Sequence, residues 1–347
     1  MKKAILFDLD GTLLPMDQDI FVKTYFGLMA KRMAQFGYKP DELIHTIWTG
    51  ITAVIKNDGI LTNEDLFWKC FAQVYGDEKT RNDRVKFDEF YREDFPKVKS
   101  VCGFQPLAKE IVQYAKNQGY RVVLATNPLF PRIATEERIR WAGLEPSDFV
   151  LVTTYENSHA CKPSLLFYQE ILDTLGLEGS ECLMVGNDIS EDGVVKKLGM
   201  DIFYITDCLI NPDGIDIKHE LHGNFEDLKE YICLGQKEIV GMLKNRVIAI
   251  ILLVGLYLMF SHVAESYVGF YVALFIINPI AFLIGGLLYG KVQGFDWLIL
   301  GLVIVLFIPV SLYLFAGWGI ISFAGIYAVI MGLGMVIGNK FLKKKEV

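Results

Sequence analysis

Short runs of consecutive apolar residues recur through the first two-thirds of the chain. Ala4–Phe7 ends in an acidic loop, and Arg121–Ala125, Phe149–Val152, Cys182–Val185 and Asp201–Ile205 follow. Between them lie stretches with helical spacing. In Pro106–Asn117, Leu107, Ile111, Val112 and Ala115 share one face; Leu165–Leu175 and Val194–Leu198 read the same way, the latter closed by Gly199. Short apolar strands alternating with amphipathic helices predict a parallel sheet covered on both faces. Residues 15–100 break this rhythm. They are too long for one crossover and hold four helical stretches: Asp19–Phe36, Asp41–Lys56, Asn63–Tyr75 and Asp83–Phe95. Thr62 or Asn63, followed by Glu64 and Asp65, is the expected start of the third. The segment reads as a helical insert that covers whatever site the sheet builds.

A different pattern begins at Val247. Val247–Val263, Tyr267–Tyr289, Phe295–Phe315 and Trp318–Ile337 are apolar throughout, each near the roughly 20 residues that cross a bilayer. The breaks fall at His262–Ser266, Gly290–Gly294 and Ala316–Gly317. Four transmembrane helices are therefore expected over 247–340, with a junction at 237–246 and a basic tail at 341–347. Asn278-Pro279 should kink the second span, and Gly286-x-x-x-Gly290 and Gly334-x-x-x-Gly338 suit close helix packing. Basic residues precede the first span (Lys237, Lys244, Arg246), sit in the middle loop (Lys291) and follow the last span (Lys340, Lys343, Lys344, Lys345). That distribution predicts that both termini, and the front domain with them, are cytoplasmic.

Charge divides the chain at the same place. Of 34 basic and 41 acidic side chains, seven and three lie from Leu243 onward, which leaves 27 and 38 in residues 1–242. So acidic a front domain has no footprint for nucleic acid. Six cysteines without C-x-x-C spacing read as reduced thiols rather than a zinc or dithiol centre. Met1-Lys2-Lys3 is followed by only four apolar residues before Asp8, too few for a signal peptide.

In open parallel sheets, ligands bind beyond the carboxyl ends of the strands. There the sequence puts Asp8-Leu9-Asp10-Gly11-Thr12 after the first strand and Thr126-Asn127 after the second. Lys162-Pro163 follows the third across a loop. Gly186-Asn187-Asp188 follows the fourth, with Asp192 four residues on. Carboxylates, a hydroxyl, an amide and an amine at one sheet edge suit phosphoryl transfer. A carboxylate can attack phosphorus, provided a lysine and a magnesium ion offset the repulsion between anions. Asp8 and Asp188 would supply the few carboxylates that magnesium prefers.

These residues resemble the haloacid dehalogenase-like (HAD) phosphatase superfamily over about residues 1–233. Asp8-Leu9-Asp10-Gly11-Thr12 is similar to its DxDGT motif, and Thr126, Lys162 and Asp188/Asp192 are similar to its later motifs, in order. The helical insert resembles the cap of the phosphoglycolate phosphatase and β-phosphoglucomutase branch. The resemblance implies an α/β fold with a Rossmannoid parallel sheet: core 1–14 and 101–236, cap 15–100, followed by the all-α membrane domain. It further implies Asp8 as nucleophile and metal ligand. Asp10 would be general acid and then base, its carbonyl touching Mg2+. Thr126 and Asn127 would hold phosphate oxygens, Lys162 would pair with Asp8 and the phosphoryl group, and Asp188 would be a metal ligand. Asp192 would orient a metal-bound water or Lys162. Asn187 stands where members of the superfamily often carry an acidic residue, and Cys161 where they often carry glycine.

The expected activity is hydrolysis of a small phosphorylated metabolite by a membrane-anchored enzyme. The alternatives are a phosphomutase of the same superfamily, or a membrane binding or transport module whose soluble domain senses a phosphorylated ligand. An anchor would also bring a lipid-linked phosphate within reach. No protein partner is specified by the sequence.

Overall fold

The computed structural model describes residues 2–263, 267–315 and 321–342. The chain divides into two units, Met1–Ile232 and Cys233–Val347.

In the first unit, β1 (Ala4–Phe7) is followed by four helices, α1 (Gln18–Ala34), α2 (Pro40–Ile55), α3 (Asn63–Tyr75) and α4 (Asp77–Glu93), and by a 3-10 turn at Phe95–Val101. Then come α5 (Pro106–Asn117), β2 (Arg121–Leu124), α6 (Arg132–Trp141), β3 (Leu151–Val152), α7 (Leu165–Leu175), β4 (Cys182–Gly186), α8 (Ile189–Asp192), β5 (Asp201–Ile205) and β6 (Leu221–Gly223). The helix α9 (Phe225–Val263) begins in this unit. The six strands form one parallel sheet in the order β3-β2-β1-β4-β5-β6. Strand side chains alternate between its faces. Ile5, Phe7, Val122 and Leu124 join one buried cluster with the helical insert and the start of α9, while Ala4, Leu6, Val123 and Met184 join a second with α7. Both faces are thus covered, which is why the strands carry no polar alternation.

Register aligns the strand ends. Phe7 pairs with Leu124 on one side and Val185 on the other. The Asp8 amide donates to Val185 O at 2.9 Å, and the Ala125 amide to Phe7 O at 2.7 Å. The residues that follow β1, β2 and β4 therefore leave the sheet side by side.

The insert between β1 and β2 is stitched to the core at α3. Thr62 caps that helix through the Asp65 amide at 3.1 Å. The buried Asn63 side chain donates to Ala160 O at 3.1 Å and Pro128 O at 3.3 Å, and the backbone amides of Asn63 and Glu64 reach Ser158 O and Tyr155 O, both at 2.8 Å. All six cysteines are free. Cys161 is buried, accepts from the Asn63 amide at 3.4 Å, and has its thiol pKa pushed far up by burial, so it is an inert small side chain.

The second unit holds the rest of α9, then α10 (Tyr267–Val272), α11 (Asn278–Gln293), α12 (Trp297–Phe315) and α13 (Ile321–Ile337). Against the four expected spans, two helices among the described residues are long and apolar enough to cross a membrane, Ala273–Gln293 and Ser322–Phe341. The third expected span falls on α12, of 19 residues, and the expected span Val247–Val263 lies within α9. Positions 264–266 and 316–320, which hold parts of two expected breaks and the start of the fourth span, lie outside the described residues, as does most of the basic tail.

The two glycine pairs face one another: a Cβ on Gly286 or Gly290 would strike the Met331 or Met335 carbonyl, and one on Gly338 the Leu287 carbonyl. Backbones meet here because no side chain intervenes. The expected kink is a π-helical turn at Ala273–Ile277, with the Asn278 amide bonded to Ala273 O. In that turn Leu274 O would next take the amide of Pro279, which has no N–H. The Tyr327 hydroxyl donates to it instead, at 2.8 Å. Near Gly294, Asp296 is buried and accepts from Arg246 at 2.7 Å and the Tyr289 hydroxyl at 2.8 Å.

Candidate active site

The loop after β1 turns sharply at Gly11, whose φ of 82° is a left-handed conformation that glycine adopts without strain. The Asn187 amide lies where a Cβ on Gly11 would sit. Asn187 is a clamp: its Oδ1 accepts from the Thr12 hydroxyl at 3.1 Å and its Nδ2 donates to Cys208 O at 2.7 Å. It therefore joins the β1 and β4 loops.

Lys162 is the centre of the site. Its side chain is 1% exposed, and its ammonium lies 2.7 Å from both Asp8 Oδ1 and Asp192 Oδ1. Burial disfavours its charge, but Asp192 and Asp8 overcome this and hold its pKa well above the ordinary lysine value. Asp192 is pinned in turn by the Tyr168 hydroxyl at 3.3 Å, and its Oδ2 accepts from the Asp188 amide at 3.1 Å. Asp188 caps α8, its Oδ1 accepting from the Ser190 and Glu191 amides at 2.8 and 2.9 Å.

Asp8, Asp10, Thr126, Asn127, Lys162 and Asp188 all line one cavity of about 230 Å³, together with Asn187, Glu191 and Asp192. Its far wall comes from the insert, including Phe21, Val22 and Trp48. All eight residues singled out in the sequence thus meet at one cavity.

Two further charged residues lacked a sequence signal strong enough to single them out. Arg138, on α6, is completely buried and pairs with Asp10 Oδ2. It also bonds Thr135 Oγ1 at 3.3 Å and lies 4.3 Å over the Phe130 ring. Asp10 Oδ1 is buried without a partner. Glu191 holds Asn127 by both carboxylate oxygens, each 3.2 Å from Nδ2, and Asn127 Oδ1 is left buried and unpartnered. Burial, with help from Asp192 and Asp188 and against Lys162, pushes Glu191 up to about 7.

The cavity wall is strongly acidic. Asp8, Asp10, Asp188, Glu191 and Asp192 face it against one ammonium, Lys162. Asp8 is pushed up to about 7, first by burial and then by Asp192 and Asp10, against the pull of Lys162. Such a wall repels a phosphate dianion unless a cation is added. The donors fit magnesium. Asp188 uses one oxygen in the bonds above, leaving the other for a cation, and Asp8 Oδ1, which meets Lys162, keeps a lone pair for a cation while Oδ2 stays unbonded. Among the described residues no three acidic, histidine or cysteine side chains gather as a metal cage. Two carboxylates plus backbone oxygen and water are a donor set that suits Mg2+.

A parallel sheet with this constellation at its carboxyl edge is an α/β hydrolytic site. Residues 2–193 match the family of haloacid dehalogenase-like hydrolases, and the chain belongs to that family. Similar solved structures include a predicted phosphoglycolate phosphatase from Haemophilus somnus 129PT, 16% identical, covering 67% of this chain and 98% of that one with a TM-score of 0.43. A HAD phosphatase from Thermococcus onnurineus is 21% identical, covers 67% and 98%, and gives 0.44. CbbY from Rhodobacter sphaeroides in complex with phosphate is 16% identical, covers 64% and 93%, and gives 0.39. No curated protein matches the chain.

Proposed function

We propose that the protein is a magnesium-dependent phosphatase. It hydrolyses a small phosphate monoester through a phosphorylated Asp8 and is tethered by its C-terminal helices, with the catalytic unit in the cytoplasm. The observation that carries this reading is Lys162, buried between Asp8 and Asp192 at the cavity floor. A buried ammonium in contact with a carboxylate that has an oxygen left over is suited to drawing a phosphoryl group onto that carboxylate.

The unbonded oxygen of Asp8 attacks phosphorus, and the bond from phosphorus to the ester oxygen breaks. Asp10, anchored by Arg138 at one oxygen, gives its proton from the other to the leaving oxygen, which departs as an alcohol. Water then attacks the phosphorus of the acyl phosphate and yields a proton to Asp10; inorganic phosphate leaves and the Asp8 carboxylate is restored. The Thr126 hydroxyl and the Asn127 backbone amide hold the non-bridging oxygens. Mg2+, on Asp8, Asp188 and the Asp10 carbonyl, would neutralise charge on the phosphoryl oxygens.

Asp8→Asn tests the reading. Phosphate release from acetyl phosphate should fall at least about 10³-fold with the melting temperature retained, and a chelator should silence the parent enzyme reversibly. Undiminished turnover by Asp8→Asn removes Asp8 from the chemistry.

A further inference from the structure

A second cavity adjoins the catalytic one. A cavity of about 120 Å³ lies between the helical insert and the core, and Val22, Trp48, Leu129 and Phe130 belong to the walls of both. The second cavity is lined by aromatic and aliphatic side chains, among them Phe26, Ile47, Ile51, Phe67 and Tyr91. Four of its polar tips pair with each other, the Tyr25 and Tyr91 hydroxyls at 2.8 Å and Trp68 Nε1 donating to the Tyr155 hydroxyl at 3.3 Å, and the exposed Trp48 adds an indole N–H. On the insert side of the catalytic cavity, Met16, Phe21, Val22 and Trp48 are apolar, and Gln18 alone offers an amide. The carboxylates all stand on the opposite side, at the strand ends.

We infer that the leaving group is an apolar alcohol: the substrate is a monophosphate ester of an aryl or short branched or linear alkyl alcohol, its hydrocarbon in the second cavity. This rests on the phosphatase reading and gives its substrate class. A polyol such as a sugar would leave several hydroxyls without partners against these walls, each weakening binding by about tenfold or more. A hydrocarbon leaves water for a wall already apolar. At about 120 Å³ the cavity is somewhat smaller than the roughly 150 Å³ apolar cavity that takes up a benzene ring, so it sets a tight upper limit on the hydrocarbon it can hold. The occupant is argued from adjacency: Asp8 and the walls shared with the second cavity (Val22, Trp48, Leu129, Phe130) line the same catalytic cavity, so the group beyond the ester oxygen of a phosphoryl group at Asp8 has those apolar walls beside it.

The test is a panel of esters on the full-length protein in detergent with Mg2+, read as phosphate release. n-Hexyl phosphate and glucose 6-phosphate have six carbons each and differ in hydroxyls; benzyl phosphate and glycerol 3-phosphate extend the contrast, and acetyl phosphate serves as a small reference. The inference expects kcat/KM for hexyl and benzyl phosphate to exceed that for the two polyol esters by at least about 100-fold.

Ile51 is half-buried and lines the second cavity only. Ile51→Phe should cut kcat/KM for benzyl phosphate about tenfold while acetyl phosphate turnover stays within about twofold. Ile51→Ala, which removes atoms and cannot overpack, should move the preferred alkyl chain one to two carbons longer. Turnover of acetyl phosphate with equal or better use of the polyol esters overturns the apolar leaving group and leaves the phosphatase standing. An Ile51 pair that folds but leaves the chain-length profile unmoved also overturns it. No release from any ester overturns the phosphatase reading itself.

Discussion

Replacing Arg138 with methionine probes a residue that touches the reaction only through another. Its guanidinium is 0% exposed and its partner Asp10 is 22% exposed. Removing one member of a fully buried ion pair costs about 3–5 kcal/mol, because the other charge is stranded. Asp10 can draw water from the cavity, which takes the cost to the lower end, about 2–3 kcal/mol. The stack on Phe130 adds roughly 0.5–1 kcal/mol. Methionine keeps most of the volume and leaves little cavity term. Asp10 would also lose its anchor, and a misplacement of about 1 Å at a reacting group costs on the order of 10²-fold in rate.

The assay combines thermal unfolding, followed by tryptophan fluorescence, with phosphate release. Arg138→Met should unfold at lower temperature by the equivalent of about 3 kcal/mol and lose about 10²-fold in kcat with KM less changed. Arg138→Lys restores charge without the planar fork and should recover stability better than rate. In the double variant with Asp10→Asn the two rate losses should fall well short of additive. Full additivity, or a stable Arg138→Met enzyme with parental kcat, would refute the argument that Arg138 acts by holding Asp10.

Two further predictions concern places away from the chemistry. Asp83 is buried; that alone would raise its pKa, but bonds from Lys79, Lys86 and Tyr38 hold it down at about 2. The folded value lies below the unfolded one of about 3.9, so this contribution is complete above about pH 4 and lost as pH falls through about 2. The ammonium groups are 39% and 32% exposed, so screening reduces it to roughly 1 kcal/mol. Asp83→Asn should melt lower than the parent at about pH 6, with the gap shrinking below about pH 4 and closing only below about pH 2; a gap constant with pH would be the wrong outcome. In the apolar C-terminal helices, a Cβ on Gly334 would lie 2.6 Å from Leu283 O, whereas Gly301 has nothing within 4 Å. Gly334→Leu should cost about 1–3 kcal/mol in detergent and Gly301→Leu close to none; equal effects would show that the α11–α13 approach is not tight.

The fold was legible where pattern and packing agree. Asn63–Tyr75, Pro106–Asn117, Leu165–Leu175, Ala4–Phe7 and Asp201–Ile205 have the limits the sequence suggests, because each is buried on one face or both and bounded by a cap or turn. Misreadings have physical causes. The α4 helix begins at Asp77, six residues before its expected start, since Asp77–Asn82 has no apolar period; Asp77 and Glu78 instead favour the helix N-terminus electrostatically. The short β6, Leu221–Gly223, is largely exposed and carries no apolar run. The α6 helix was missed because it reads Arg-Ile-Ala-Thr-Glu-Glu-Arg-Ile-Arg-Trp, with a charge at one of its buried positions.

That misplaced charge explains why the site was only partly legible. Asp8, Thr126 and Asp188 follow apolar strands, so strand order and register alone bring them together. Lys162 needs a loop from β3 to fold back, and its neighbours Asp8 and Asp192 supply the reason: an ammonium enters the interior only when carboxylates meet it. Arg138 obeys the same rule from the opposite direction. On a helix of mixed charge, nothing local separates it from Arg132 or Arg140, and Arg140 lies on the surface among Glu136, Glu137 and Glu145. What holds Arg138 inside is Asp10, 128 residues earlier, just past the end of β1, which pairs with β2 just before α6. A buried charge is legible only together with its partner. Here the partner was conspicuous as a motif and the arginine was not, so the anchor of the proposed acid–base group emerges only from the folded chain.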